Sequence, residues 1–352
     1  RGSAFAGLNA TAMTDLTLSI EKLELPLVHP FKIARGVEEV ARTAVFHLNW
    51  QDREGLGESV PIPRYGESVE SVMTYFAQHP VRGSNPYLLD ELLASAIPPA
   101  ARCGLDLALH DLIGKDCGKP LYALLGLDPA KTPLTSFTIG IGDPDLTLQK
   151  VAEIGDHPVM KVKLGLGNVR EEVETIALIR SKYTGTIRID ANEGWDAEQA
   201  VAVLKELERY DIEFCEQPIK AGHPEQLRYI KERSSIPIVT DEDSLDARDL
   251  PKLIGCVDGV NVKLAKTGGI RGAIAMIHTA RALGMKIMLG CMVESQISAS
   301  AAAQISPLVD WADIDGPFLT KSDPFSGITY DRGKIVLPDG PGLGVAQTAS
   351  VA

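Results

Sequence analysis

The sequence predicts an α/β protein, an eight-stranded β/α barrel that follows a smaller α+β domain. Three observations predict it. After residue 135, eight short apolar runs alternate with amphipathic helical stretches such as VREEVETIALIRSKY (169–183), and eight is the strand count of such a barrel. Lys163, Asp190, Glu216, Asp241 and Lys266 follow one another at intervals of 27, 26, 25 and 25 residues, about the length of one strand–helix unit. No sequence repeat accompanies this period, so it reflects architecture rather than an array. Finally, polar residues gather at the C-terminal ends of the runs, the end where barrels build their active sites.

Taken in order, RGSAFAGLNATA before Met13 reads as an expression scar over residues 1–12 and is set aside. LTLSIEKLELPL (16–27) and ARTAVFHLNWQD (41–52) alternate apolar and polar residues and predict two strands, with VHPFKIARGVEE between them as a long polar connection. GLGESVPIPRYGES (55–68) predicts a second Gly/Pro-rich loop, and PPAARCGLDLALHDLIGKDCGKPLYALLG (98–126) is helical. This α+β unit is assigned to residues 13–130. The barrel, at 131–316, carries the runs SFTIGIGD, VMKVKLG, IRIDANEGW, FCEQP, IVTDED, VNVKLAKTGG, IMLGCMVES and ADIDGP. Residues 317–352, with the strand and Gly/Pro-rich stretch GKIVLPDGPGLG, form a tail expected to return to the first unit.

Bulk properties bound the function. Of 352 residues, 45% are hydrophobic and 23% charged, which is ordinary for a globular protein. The net charge of −12 argues against an extended nucleic-acid or anionic-membrane surface. Five scattered cysteines (103, 117, 215, 256, 291) without a CxxC pair fit a reducing compartment. With no secretory or membrane-length apolar stretch, the expected location is the cytoplasm.

The chemistry lies at the strand ends. Asp190, Glu216 and Asp241 end three successive runs, and adjacent strands lie about 5 Å apart. Three converging carboxylates repel unless a cation joins them. Hard oxygen donors without clustered His or Cys point to Mg²⁺ rather than zinc. Lys161 and Lys163 end the second run, and alternation aims both the same way. Lys263 and Lys266 stand at the sixth, across the barrel mouth. Lysines on opposite sides of a cation site suit proton abstraction beside a carboxylate, with return from the other face. Desolvation and a neighbouring ammonium would bring such a lysine toward neutrality.

Each of these residues alone has a plainer explanation. A lone KxK is often a solvated strand end, and a lone strand-end Asp is often a helix N-cap. Neither explains acids on three consecutive runs flanked by lysines. The glycines of KLGLG and KTGG lack a phosphate-loop context and read as turn residues. The seven histidines show no ligand spacing.

KVK, DANEGW, EQP, DED and KLAKTGG resemble the enolase superfamily in its muconate-lactonising subgroup, and DIDGP resembles the dipeptide epimerases within it, close to L-Ala-D/L-Glu epimerases. The resemblance covers nearly the whole chain. It implies a (β/α)7β barrel of the TIM type under an α+β capping domain, and Mg²⁺ held by Asp190, Glu216 and Asp241. It implies Lys163 and Lys266 as the base/acid pair, the family motif choosing Lys266 over Lys263, with Lys161 assisting at the substrate carboxylate. Asp313 and Asp315 would hold the α-ammonium of a dipeptide. Arg35, with Lys32 as its competitor, would read a side-chain carboxylate from a capping loop. Tyr65 would either close over the substrate or pack its loop, and Met292 and Glu294 would form pocket wall. Asp243, two residues past Asp241, competes for the metal. The implied activity is dipeptide epimerisation in the turnover of cell-wall peptides, with oligomeric state left open. The rival readings are a cycloisomerase or o-succinylbenzoate synthase of the same subgroup and, outside it, a Schiff-base aldolase or a non-catalytic barrel that binds an acidic metabolite.

Overall fold

The computed structural model describes residues 15–33, 36–94 and 96–348. The supposed scar at 1–12 and Arg35 lie outside the described residues. The first unit is a three-stranded antiparallel sheet of β1 (Thr17–Ile33), β2 (Gly36–Trp50) and β3 (Arg53–Ser59), in that order.

Two stretches expected to be loops are largely or partly strand. The connection expected at 28–39 is mostly strand: Phe31 pairs with Glu38, Lys32 with Val37 and Ile33 with Gly36, after a register shift that begins at Pro26. The prolines mark that irregularity rather than a loop, as prolines in sheets do. The loop expected from residue 55 begins only after Ser59, because Gly55 and Gly57 are strand residues. A Cβ at either would collide with the backbone of the helix Pro99–Cys117, at Ala108 and Gly104. The glycines are there for close helix-on-sheet approach, not for turning.

That helix lies between the sheet and the barrel and buries 13 of its 19 residues. One core sits on its sheet side, around Phe46, Leu48, Phe76 and Leu109. The larger core runs on into the barrel and includes Val45, Leu56 and Leu107.

The barrel is eight parallel strands in sequential order. They are β4 (Phe137–Ile139), β5 (Val159–Lys163), β6 (Thr186–Asp190), β7 (Ile212–Glu216), β8 (Ile238–Thr240), β9 (Gly259–Val262), β10 (Lys286–Gly290) and β11 (Trp311–Asp313). A parallel bridge between Thr135 and Ala312 joins the last strand to the first. All eight runs read from the sequence are these strands. Between β8 and β9 the described connection holds a 3-10 turn, Leu250–Leu253, in place of an α-helix. After β11 comes only the four-residue helix Gly316–Leu319.

Alternation along the strands sorts the side chains. Met160, Val162, Ile187, Ile189, Cys215, Ile238, Val260 and Leu289 join the core under the helices. The opposite faces fill the barrel. Phe214, Val239 and Met288, with Trp311, pack its floor, and the polar residues stand above them. The tail returns to the first unit: Thr320 bridges Leu27, Gly342 bridges Pro120, and Leu343 N–H donates to Asp111 (2.8 Å).

Candidate active site

The barrel mouth opens into a cavity of about 390 Å³, in the size range of small-molecule sites. Its walls include Lys161, Lys163, Lys263, Asp313 and Asp315 from the barrel, and Phe31, Pro63 and Arg64 from the capping sheet and the loop after it.

Lys161 and Lys163 both point inward, and the cost of burying them is met by carboxylates. Lys161 is 1% exposed. Its ammonium lies 2.5 Å from Glu216, 2.6 Å from Asp313 and 3.5 Å from Asp190. Burial works against its charge, but Asp313, Glu216 and Asp190 outweigh that and hold its pKa well above the usual lysine range. Lys163 donates to Asp190 at 2.6 Å and stands 5.9 Å from the centre of the Phe31 ring.

Asp190 ends β6 and Glu216 ends β7, while Asp241 follows β8 directly. None of the three is more than 2% exposed. Burial opposes the charge of Asp190, but Lys163 and Lys161 keep its carboxyl below the usual range. Burial and Asp190 push Glu216 up. Asp241 is held far down, against burial, by Lys263 and Lys266. Among the described residues no three His, Cys, Asp or Glu side chains are disposed around one metal position. Each carboxylate instead meets a lysine ammonium. The donor set still suits a hard divalent ion. It comprises three oxygen anions from adjacent strands at one mouth, and Glu216 Oε2 has no hydrogen bond, only the Lys161 ion pair.

The two lysines of the sixth strand part company. Lys263, on the cavity wall, is paired with Asp241 at 2.8 Å. Burial opposes its charge, and Asp241 with Glu216 raises its pKa well above the usual range. Lys266 is not among the residues lining the cavity. Its ammonium is caged by Asp241 Oδ1 (2.5 Å) and by the carbonyls of Asp241 (2.8 Å), Asn261 (2.9 Å) and Ser244 (3.0 Å). The family resemblance implied Lys266, but a short helix, Leu264–Thr267, carries it away from the cavity wall. Lys263, which leads into that helix, is the one that faces the cavity.

Asp313 and Asp315 line the same cavity. Asp313 accepts from Ser136 and Lys161 and is held low, Lys161 outweighing burial. Asp315 accepts from Thr138 N–H at 2.6 Å and is pushed up to about 6 by burial and by Asp313. Met292 lines the cavity. Tyr65, half-buried in the turn Pro63–Tyr65, is not among the lining residues. Lys32 borders an adjoining cavity of about 240 Å³ that shares Lys163. Asp243 is turned away from the mouth, onto Gln217 (2.8 Å) and Gly222 N–H (2.7 Å).

Sequence reasoning passed over several supporting residues. Gln217 Oε1 accepts from the N–H groups of Asp241, Glu242 and Asp243, shaping the turn that carries Asp241. Asn261 donates to Glu216 at 2.7 Å and Asn192 to Asp190 at 3.2 Å. Gln217 and Asn192 lie inside the quoted EQP and DANEGW motifs, and Asn261 sits two residues before Lys263 on the same face. Those positions were the available signal.

The barrel, its cap and this ring of lysines and carboxylates define an enolase-type enzyme, and the chain belongs to the enolase superfamily. Residues 16–126 match the family described as Mandelate racemase / muconate lactonizing enzyme, N-terminal domain, and residues 146–350 match Enolase C-terminal domain-like. The chain is 38% identical to the L-Ala-D/L-Glu epimerase of Bacteroides thetaiotaomicron, over 92% of this chain and 86% of that one. It is 34% identical to an L-Ala-D/L-amino acid epimerase of Maribacter sp., over 94% and 99% respectively. A dipeptide epimerase from Enterococcus faecalis V583, solved with Mg and L-Leu-L-Tyr, superposes with a TM-score of 0.89 at 30% identity, covering 95% of this chain and all of that one. These relatives are isomerases, and the chain is an enzyme of that class. No described helix is long and apolar enough to cross a membrane.

Proposed function

We propose that the protein epimerises dipeptides at the α-carbon beside the free carboxylate, with L-Ala-D-Glu and L-Ala-L-Glu the first pair to test. One observation carries this reading: Lys163 and Lys263 reach the same cavity from the second and sixth of eight strands, opposite walls of the barrel, with Asp313 and Asp315 beside them. Lysines on two faces can remove a proton from one side and deliver one from the other, which inverts the carbon. Of the two sixth-strand lysines we assign this work to Lys263 and a structural part to Lys266.

The acidic pair suits the substrate's α-ammonium. Asp313 already tolerates an ammonium at 2.6 Å, that of Lys161. Lys161 is a fixed positive charge for the substrate carboxylate, where negative charge grows as the proton leaves. Asp190, Glu216 and Asp241 would hold Mg²⁺, which when bound supplies further positive charge against that growth. The capping residues Phe31, Pro63 and Arg64 limit water at the mouth and meet the substrate's side chains. All five cysteines are free thiols, which supports the cytoplasm as the place of reaction.

The test is a panel of L-Ala-L-Xaa dipeptides incubated in deuterium oxide with Mg²⁺ and, in parallel, with EDTA. A one-dalton mass gain with appearance of the L,D epimer, lost under EDTA, is the expected result. No α-proton exchange in any dipeptide would overturn the reading.

A further inference from the structure

The KTGG stretch after Lys263 has no part in the chemistry above, yet the capping domain grips it. The helix Pro99–Cys117 places Arg102 and Asp106 one turn apart on the face toward the barrel. Arg102 donates to the carbonyl of Thr267 at 3.2 Å, and Asp106 accepts from Ile270 N–H at 2.6 Å, at the start of the helix Ile270–Ala282. Between these contacts lie Gly268 and Gly269, with φ of 76° and 104°. A Cβ on Gly268 would collide with the Arg102 guanidinium, and one on Gly269 with the Asp106 carboxylate. The two glycines are the seat for these side chains.

The grip reaches Lys263 through a short run of hydrogen bonds. The Lys263 carbonyl accepts from Lys266 N–H and Thr267 N–H, both at 3.1 Å, and from the Thr267 hydroxyl at 3.2 Å. That hydroxyl also lies 3.1 Å from the Gly269 carbonyl. On the barrel side the Lys266 cage holds the same segment. The piece of chain that aims Lys263 is therefore fixed by Lys266 from within and by the capping helix from outside. Lys163 is the last residue of β5, paired in register with Asp190 of β6, and receives no such support from this helix.

We infer that Arg102 and Asp106 are positioning residues for Lys263: the capping domain aims one of the two proton-transferring lysines and not the other. This rests on the proposed two-lysine epimerisation. Small misplacements of a proton-transferring group cost rate steeply, up to about 100-fold for 1 Å.

The experiment reads α-proton exchange in deuterium oxide with Mg²⁺, started separately from the L,L and the L,D epimer of one accepted dipeptide. Lys163→Ala and Lys263→Ala first establish which epimer each lysine deprotonates. Asp106→Ala is expected to lower exchange from the Lys263-dependent epimer by roughly 10- to 100-fold and to leave exchange from the other within about twofold. Asp106→Asn, which keeps an acceptor for Ile270 N–H, is expected to restore most of that rate. Should Asp106→Ala not fold, Arg102→Met is read in the same way. Equal loss from both epimers, or no loss from either, overturns the inference. Absence of exchange in the unmodified enzyme would instead overturn the proposed function.

Discussion

Replacing each sixth-strand lysine by methionine separates a structural ammonium from a chemical one. Lys266→Met deletes a cation that satisfies one carboxylate oxygen and three backbone carbonyls, in a side chain with no solvent exposure. Breaking a buried ion pair by removing one partner costs about 3–5 kcal/mol. Lys263 still faces Asp241, so the lower half of that range applies to the carboxylate, and the stranded carbonyls bring the total back to about 4 kcal/mol. With an unfolding entropy of about 2.1 cal/mol/K per residue over 352 residues, each kcal/mol moves the melting temperature a little over 1 °C. The expected drop is therefore about 4–7 °C. Lys263→Met removes a single ion pair and leaves Asp241 with Lys266, so its thermal shift should be smaller. Its catalytic loss should be about 10²- to 10⁴-fold, the worth of a positioned general acid or base. The assay pairs thermal melts in EDTA, which keeps metal binding out of the comparison, with dipeptide exchange in Mg²⁺. A Lys263→Met enzyme that epimerises normally, or a Lys266→Met enzyme that melts like the parent, would refute the division of roles.

Three further outcomes follow from the same geometry. Asp315→Asn should raise KM for a dipeptide with a free amino terminus by roughly 30-fold, about 2 kcal/mol of lost charge pairing, with a smaller change in kcat, as steady-state kinetics would show. Gly57→Ala should lower the melting temperature, since its methyl meets the Gly104 carbonyl and overpacking of this kind costs about 1–3 kcal/mol. Exchange per folded molecule should be retained. Glu294 is buried, and burial and the nearby Glu58 push its carboxyl well above the usual range. The folded chain then holds that proton more tightly than the unfolded chain, so this group's contribution is fully present below the unfolded pKa and declines as pH rises above it. Glu294→Gln, which keeps an acceptor for Met292 N–H, should gain melting temperature relative to the parent as pH is raised from 5 to 8. A pH-independent difference would refute this.

The sequence made the barrel legible because a parallel strand buried on both faces writes a short apolar run, and a crossover helix fixes the distance to the next. Residues such as Asp190 and Glu216 stood out because a charge at the end of an apolar run is costly without a purpose. What stayed hidden depends on the direction of a side chain within a turn. Gly55 and Gly57 were indistinguishable from loop glycines because the helix that needs them lies 40 to 60 residues away in the chain. Lys263 and Lys266 differ by three residues, less than one helical turn, so spacing along the chain could not show which would enter the cavity. The turn of the Leu264–Thr267 helix settles it, and that turn is held by Arg102 and Asp106, more than 150 residues earlier. A strand announces its inward side chains by period two. Past the strand end, direction is set by whatever packs against the loop, and here the packing partner is the other domain.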